Sequence, residues 1–403
     1  MDYKKVTQCR ACGSEELLSY LNLGEHPLAN SLLHSQHALV KKYPIEMLYC
    51  DDCNLSQLSV VVDPHVIYRD YVYHSSVSET FKKHCREMAK TLRELYDAEG
   101  DPLVVDIASN DGCLLEQFKA EGYYVMGVEP SENLVKESEA KGISTIHDFW
   151  GKEAADRVPA CDFITATNVL AHVDDVKSFV KLAAGKLRAY SKGVMVVEVP
   201  YLKNLIFTNQ FDTIYHEHLS YFLLKPLLIL FSSCGMSIFK VEEYPIHGGS
   251  LRVYASPYDR ETDGSVLRML MEEYRAGLYS YRTYEDYADN VATVRHDLQM
   301  ILNDCRLRGE KVAGFGASAK GISLMNYCGI TNIDVSYIAD DTPDKQGKYT
   351  PGSGIPIVSR DNFDTNHPDY IMLTAWNFSD EMKKKTEKVG ARYIVPIPNV
   401  RVE

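Results

Sequence analysis

Between residues 102 and 256, short apolar runs alternate with stretches whose apolar positions recur every three or four residues, the rhythm of strands and helices. The run Pro102-Leu103-Val104-Val105-Asp106-Ile107-Ala108 leads into Ser109-Asn110-Asp111-Gly112 and then a helical pattern through Leu114, Leu115 and Phe118. That order predicts strand, tight turn and helix. Apolar runs at residues 124–128, 162–168 and 193–200 read as further strands, and the spacing over residues 176–187 predicts a helix between the last two. Parallel strands joined by helices, a doubly wound α/β sheet, are the economical arrangement. Residues 237–241 and 248–255 read as two closing strands, the last added antiparallel at or near the edge.

Past residue 257 the pattern changes. The stretch 258–307 is polar and rich in Tyr and Arg, with apolar spacing at Leu267, Leu270 and Met271 and later at Val291, Val294 and Leu298, which predicts a helical connector. Lys311-Val312-Ala313-Gly314-Phe315-Gly316-Ala317-Ser318-Ala319-Lys320-Gly321 then runs from strand through a glycine loop into a helix, and residues 335–340 form another short strand. The division this predicts is 1–68, a unit carrying paired cysteines; 69–257, the alternating α/β unit; 258–307, the connector; and 308–403, a second Rossmann-like unit.

Composition narrows the partners. The chain has 403 residues, 45% hydrophobic, and a net charge of −13. It is long enough for two or three packed domains. Excess acid opposes binding to a phosphate backbone, so no nucleic-acid partner is expected. No apolar stretch follows Met1-Asp2-Tyr3-Lys4-Lys5, and the run 221–231 is short and broken by Lys225 and Pro226. The expectation is a cytoplasmic protein with no signal peptide and no membrane span. No heptad or apolar interface pattern stands out, which leaves a monomer as the working expectation.

Ten cysteines in a reducing compartment read as thiols or metal ligands. Cys9-Arg10-Ala11-Cys12 and Cys50-Asp51-Asp52-Cys53 form two C-x-x-C pairs, each able to give two thiolates to one tetrahedral ion from a single turn. Four cysteines close the coordination shell, so the expected zinc is structural and performs no chemistry. The alternative is two unrelated pairs of buried thiols.

The turn after Ala108 separates the candidate cofactors. A dinucleotide needs G-x-G-x-x-G at this point, whereas Ala108-Ser109-Asn110-Asp111-Gly112 has one glycine. S-adenosylmethionine, with ribose and adenine but no pyrophosphate, suits the loop better. Asp106 and Asn110 could meet its amino-acid part, and Glu129, at the tip of the next strand, its ribose hydroxyls. Between Tyr215 and Phe222 the chain crowds two imidazoles, a carboxylate and two phenols into Tyr-His-Glu-His-Leu-Ser-Tyr-Phe. The density points to proton transfer, with Glu217 orienting one imidazole; an ordinary hydrogen-bonded histidine pair is the alternative. The segment lacks the His-Glu-x-x-His spacing of a zinc hydrolase.

The two cysteine pairs, Tyr71-Val72-Tyr73-His74-Ser75-Ser76, the Asp106–Gly112 loop, Tyr215-His216-Glu217-His218 and His247-Gly248-Gly249-Ser250-Leu251-Arg252 together resemble the deoxysugar C-methyltransferase family over essentially the whole chain. Ala108 departs from the glycine expected there. The resemblance implies an N-terminal zinc-binding domain, a central class I methyltransferase Rossmann-like sheet and a C-terminal Rossmann-like domain. It implies methylation of the carbon beside the ketone of a nucleotide-diphosphate-linked 4-keto-deoxysugar. His218 would be the base, with Tyr215 as phenolic donor, Glu217 as orienter, and Tyr73 and His172 as further contacts. An unperturbed imidazole, with a pKa of about 6.5, is largely in its basic form at neutral pH. S-adenosylmethionine would meet Asp106, Ala108, Asn110, Gly112, Glu129, Pro130 and Asn168, and the sugar nucleotide Ser250, Arg252, Gly316 and Lys320.

Two other classes stay open. Asp340 stands where a dehydrogenase carries its ribose-binding acid, so an NAD(P)-dependent sugar-nucleotide oxidoreductase would use the C-terminal unit. A zinc-stabilised scaffold would bind no small molecule.

Overall fold

The computed structural model describes residues 2–67, 75–77, 79–96 and 98–403; Tyr73 therefore lies outside the described residues. The chain opens with β1 (Tyr3–Lys5), β2 (Leu17–His26), β3 (Tyr43–Cys50), β4 (Ser56–Leu58) and β5 (Val60–Val62). β2, β3 and β4 pair antiparallel in sequence, and β1 pairs with β5. Sheets this small bury little core of their own, which explains why this unit carries the cysteine pairs.

The central sheet contains β6 (Leu103–Ile107), β7 (Tyr124–Glu129), β8 (Ser144–His147), β9 (Phe163–Thr167) and β10 (Val194–Pro200), all parallel. β10 is buried at every residue but the last, as strands covered by helices on both faces are. The helix before it, Val176–Ala184, starts where the Asp175 carboxylate accepts from the Ser178 backbone N–H at 2.9 Å. A short strand, β11 (Ser220–Tyr221), leaves this unit and pairs antiparallel with β4. The N-terminal sheet thus takes its fourth strand from the residues just after Tyr215-His216-Glu217-His218.

β12 (Ser237–Tyr244) and β13 (Ser250–Ser256) complete a seven-stranded sheet of order β12-β13-β10-β9-β6-β7-β8. β13 runs antiparallel and stands one place in from the edge, because β12 covers its outer side.

The connector is two helices, Ser265–Arg275 and Tyr281–Arg308. Its first helix follows its apolar spacing only in part: Leu270 packs against the core, but Leu267 and Met271 are exposed, and Met269 and Glu273 are buried. The Glu273 carboxylate decides this orientation. It accepts hydrogen bonds from the Tyr201 hydroxyl at 2.9 Å, the Tyr279 hydroxyl at 2.5 Å and the Leu224 backbone N–H at 2.7 Å, and a buried carboxylate so satisfied outweighs two exposed apolar side chains.

The last unit is a sheet of β14 (Val312–Phe315), β15 (Ile338–Ala339), β16 (Ile357–Val358), β17 (Tyr370–Leu373), β18 (Arg392–Val395) and β19 (Arg401–Val402), in the order β16-β15-β14-β17-β18-β19. Only β19 is antiparallel. The helix Ala319–Cys328 follows β14 and packs against the 3-10 turn Phe211–Thr213 of the central unit.

Candidate active site

Adjacent strands β6 and β7 end together, with Ile107 opposite Val128, so Asp106 and Glu129 arrive at one cavity of about 460 Å³. Its lining includes Ala108, Ser109, Asn110, Pro130 and Asn168, and Phe149 and Trp150 give it aromatic walls. Glu129 accepts through Oε2 from the Asn110 backbone N–H and through Oε1 from the Ser131 backbone N–H, each at 2.9 Å. Each oxygen keeps acceptor capacity for a hydroxyl. Asp106 accepts from Thr165 Oγ1 at 2.7 Å, and burial pushes its pKa up to about 7, so an approaching cation would draw it into its charged form.

Ala108, Asn110 and Asn168 all have left-handed backbones, at φ +59°, +53° and +56°. For alanine this costs about 1–2 kcal/mol, and such conformations gather at ligand sites. The loop therefore keeps the shape a glycine would favour although Ala108 stands there. Ser109 Oγ is buried and has no hydrogen-bond partner among the described residues. A pair of acids, an orphaned hydroxyl and aromatic walls fit the ammonium, ribose and adenine of S-adenosylmethionine. Gly112 is not part of this lining. At φ +79° it begins the next helix, and a Cβ there would lie 2.8 Å from Ile143 Cδ1 and Ser138 Oγ, so close packing is its role.

The Tyr-His-Glu-His run follows the turn Phe211–Thr213. The Nδ1–H of His218 donates to the Thr213 carbonyl at 2.8 Å, which leaves Nε2 to accept from the Tyr215 hydroxyl at 3.2 Å. The His172 ring stands 4.9 Å from that of His218. Burial lowers the His218 pKa to about 4, with the charge of Lys320 adding to the effect, and holds His172 well below its ordinary value. The expectation of a pKa near the free value is corrected: the protein excludes the water that would solvate an imidazolium, so both rings are neutral at pH 7 by a wide margin.

Glu217 does not orient His218. Its carboxylate accepts from Asn30 Nδ2 of the N-terminal unit at 2.6 Å, and burial pushes its pKa up to about 7. The Thr213 carbonyl orients the imidazole instead. His216 faces the same way as Glu217, donating through Nε2 to the Tyr43 carbonyl at 3.1 Å. A second cavity of about 370 Å³ is lined by Glu217, His216 and His172 on one side and by residues 2–4 and 61–64 on the other. Pro64, His172 and Asp174 border both cavities, and His218 stands behind His172, outside either lining.

At the far end of the N-terminal sheet, the sulfurs of Cys9 and Cys53 are 3.4 Å apart and those of Cys12 and Cys50 3.6 Å, and all four lie within 4.8 Å of one another. Zinc–sulfur bonds of about 2.3 Å give a tetrahedron with edges of about 3.8 Å, so the donor set fits zinc with no open position. Arg10, inside the first pair, donates to the carbonyls of Leu58 at 3.2 Å and Leu219 at 3.1 Å and pairs with Asp174. The metal turn is thereby tied to the residue following His218.

Three family models match in succession: a zinc binding domain over residues 9–68, a methyltransferase domain over 78–238 and a C-methyltransferase C-terminal domain over 245–398. The C-methyltransferase NovU of Streptomyces niveus is 35% identical over 410 residues, spanning 99% of this chain and 97% of that protein. The chain belongs to the C-methyltransferase family. It is an S-adenosylmethionine-dependent enzyme with a structural zinc site. Among solved structures, magnesium protoporphyrin IX methyltransferase from Synechocystis PCC 6803 with bound SAH is 14% identical, covering 48% of this chain and 92% of that one at a TM-score of 0.36. The CcbJ methyltransferase of Streptomyces caelestis is 12% identical, covering 43% and 88% at 0.34.

In this C-methyltransferase two of the predicted substrate contacts are placed elsewhere. Arg252 is fully buried, ion-paired to Glu198 through Nε at 2.9 Å, with Nη2 2.8 Å from His84 Nε2 and Nη1 3.1 Å from the Tyr244 hydroxyl. Ser250 is equally buried and donates to the Ile246 carbonyl at 3.2 Å. Both stand on β13, whose burial on each face keeps them from either cavity. Gly316 and Lys320 lie at the glycine loop of the C-terminal unit, where a Cβ on Gly316 would meet Met382 at 3.0 Å. Asp340, beside that loop, is already occupied: Oδ2 accepts from the Ala317 backbone N–H at 2.7 Å and from Lys345 at 3.3 Å, and Oδ1 from the Thr342 N–H at 2.8 Å. The oxidoreductase alternative finds no support. Asn30, Phe149 and Trp150 escaped the sequence reading. The aromatic pair stands between β8 and the helix Lys152–Arg157, elements the apolar pattern does not mark; Asn30, 187 residues from Glu217, offers no signal either.

Proposed function

We propose that this C-methyltransferase moves the methyl group of S-adenosylmethionine to the carbon beside the ketone of a nucleotide-diphosphate-linked 4-keto-deoxysugar. The observation that carries the reading is a neutral imidazole, His218, held as the Nδ1–H tautomer with Nε2 free of its own proton, directly behind a histidine shared by two adjoining cavities. The resemblance to deoxysugar C-methyltransferases and the similarity to NovU support it. The larger cavity takes the methyl donor and the smaller one the sugar.

A C–H beside a ketone is weakly acidic, so the reaction needs a base and a stabiliser for the enolate oxygen. Nε2 of His218 is the acceptor for the proton on that carbon, and because His172 borders both cavities in front of it, the sugar must enter beside His172 to reach it. The Tyr215 hydroxyl, released from Nε2 as the imidazolium forms, turns to the developing oxyanion, and His172 and Tyr73 are its further contacts. S-adenosylmethionine supplies an already activated methyl, so the protein's remaining task is to align carbon, methyl and sulfur. Residues of two domains line the cavities on either side of it.

One observation favours a second base. Glu217 lines the smaller cavity itself, and its carboxyl, raised to about 7, is matched to proton transfer at neutral pH. The test of the overall reading is mass spectrometry after incubation with methyl-labelled S-adenosylmethionine and a panel of nucleotide-linked 4-keto-deoxysugars. Label on a sugar carbon is expected; label on oxygen, or on no panel member, would overturn it.

A further inference from the structure

The residues that place His218 do not all belong to the central unit. Its orienting carbonyl, Thr213, ends a 3-10 turn, Phe211–Thr213, that the C-terminal unit grips at one point within it and at one on each side. Trp376 Nε1–H donates to Asp212 Oδ2 at 2.7 Å. Ser323 Oγ donates to the Ile214 carbonyl at 2.9 Å. Pro398 offers its carbonyl to Asn209 Nδ2 at 2.9 Å. Asp212 is fully buried, and its Oδ1 has no hydrogen-bond partner among the described residues. Burial raises the Asp212 pKa above its ordinary value, and the charge of Lys320, whose amine lies 5.9 Å from the centre of the Trp376 ring, works against that rise.

We propose that Trp376 and Lys320 are positioning residues for the catalytic base: by holding Asp212 they fix the Phe211–Thr213 turn, and the Thr213 carbonyl then holds His218 as the Nδ1–H tautomer with Nε2 toward Tyr215 and the reaction. This assigns the helix after the glycine loop a task other than phosphate binding. The loop's helix is packed onto the turn, and the charge of its lysine is felt by a carboxylate of the neighbouring unit. Coupling through one short turn is mechanically direct, since Asp212 and Thr213 are adjacent in the chain. The inference rests on the reading of His218 as the base.

The test uses the full-length, zinc-loaded protein with ¹⁵N-labelled histidine, comparing wild type with Trp376→Phe, which keeps an aromatic ring but removes the indole N–H, and with Lys320→Met. The His218 signals are assigned by their loss in His218→Asn. In the wild type Nδ1 is protonated and Nε2 is not. In each folded variant we expect the His218 ring nitrogens to move toward a mixture of tautomers, kcat to fall about ten- to a hundredfold as misplacement of a catalytic group does, and KM for the sugar nucleotide to change little. Zinc content and melting midpoint identify a variant that fails to fold, in which case the other decides. Unchanged His218 signals in the folded variants overturn the proposal, as does a large rise in KM with kcat intact, which would make Lys320 a phosphate ligand. Altered signals with unaltered kcat would leave the clamp standing and remove His218 as the base, so the two failures are distinct.

Discussion

Two groups able to accept a proton at pH 7 lie on opposite sides of their ordinary values, because the same burial disfavours an imidazolium and a carboxylate alike. His218 is lowered to about 4 and Glu217 raised to about 7, and the difference makes pH a sharp discriminator. A base must be unprotonated, so His218 loses activity only as pH falls toward 4, whereas Glu217 loses it as pH falls through 7. With His218 as base, kcat/KM for Glu217→Gln should stay level from pH 7 down to pH 5; an acid limb near 7 in the wild type that disappears in Glu217→Gln would transfer the role to the carboxylate. At the larger cavity, proposed to take the methyl donor, Glu129 holds two backbone amides and offers two further lone pairs. Removing a charged acceptor costs about 1.5–3 kcal/mol per hydrogen bond. Glu129→Ala should therefore weaken binding of S-adenosylhomocysteine at least tenfold by calorimetry, while Gln210→Ala, outside both cavities, should leave it unchanged.

Among elements, the metal turn and the Tyr-His-Glu-His run are linked by one side chain. Arg10 sits between Cys9 and Cys12, and its guanidinium bonds to carbonyls on β4 and at Leu219, while β11, just beyond, pairs with β4. Zinc thus stabilises a sheet that includes the continuation of the Tyr-His-Glu-His run. Titrating the thiols with a mercurial should release one zinc per chain, lower the melting midpoint by about 5 °C or more, and abolish methyl transfer before the central sheet unfolds. Loss of activity only at global unfolding, followed by circular dichroism, would separate the metal from the site. What a short sequence window can define was legible here: two C-x-x-C turns, a strand-loop-helix with acids at two strand tips, and the crowded histidine run. The direction each side chain faces was not. Leu267 and Met271 carry apolar spacing yet face solvent because Glu273 finds three donors inside, and Arg252 faces Glu198 rather than a ligand because β13 runs antiparallel beside β10.

Across the whole molecule, three units converge on residues 209–221: Asn30 and Tyr43 from the first, the sheet from the second, and Ser323, Trp376 and Pro398 from the third. These contacts join positions up to 189 apart in sequence, which is why the composite site could not be read locally. They also bear on the C-terminal unit, whose sequence reads as a dinucleotide fold. A nicotinamide nucleotide would need the Asp340 carboxylate for its ribose and a glycine loop open to its pyrophosphate. Asp340 instead holds the Ala317 and Thr342 amides and the Lys345 ammonium, and the Gly316 turn lies against Ala375 and Met382. Displacing three bonds to a buried carboxylate would cost more than two ribose hydroxyls return. Titration with NADH or NADPH, followed by nicotinamide fluorescence, should therefore show no saturable binding to the wild type. Asp340→Ala, which frees the same space, should lower the melting midpoint by several degrees because the loop loses its anchor, and should still bind neither nucleotide. Saturable binding to the wild type would show that Asp340 exchanges its partners and would restore the C-terminal unit as a cofactor site.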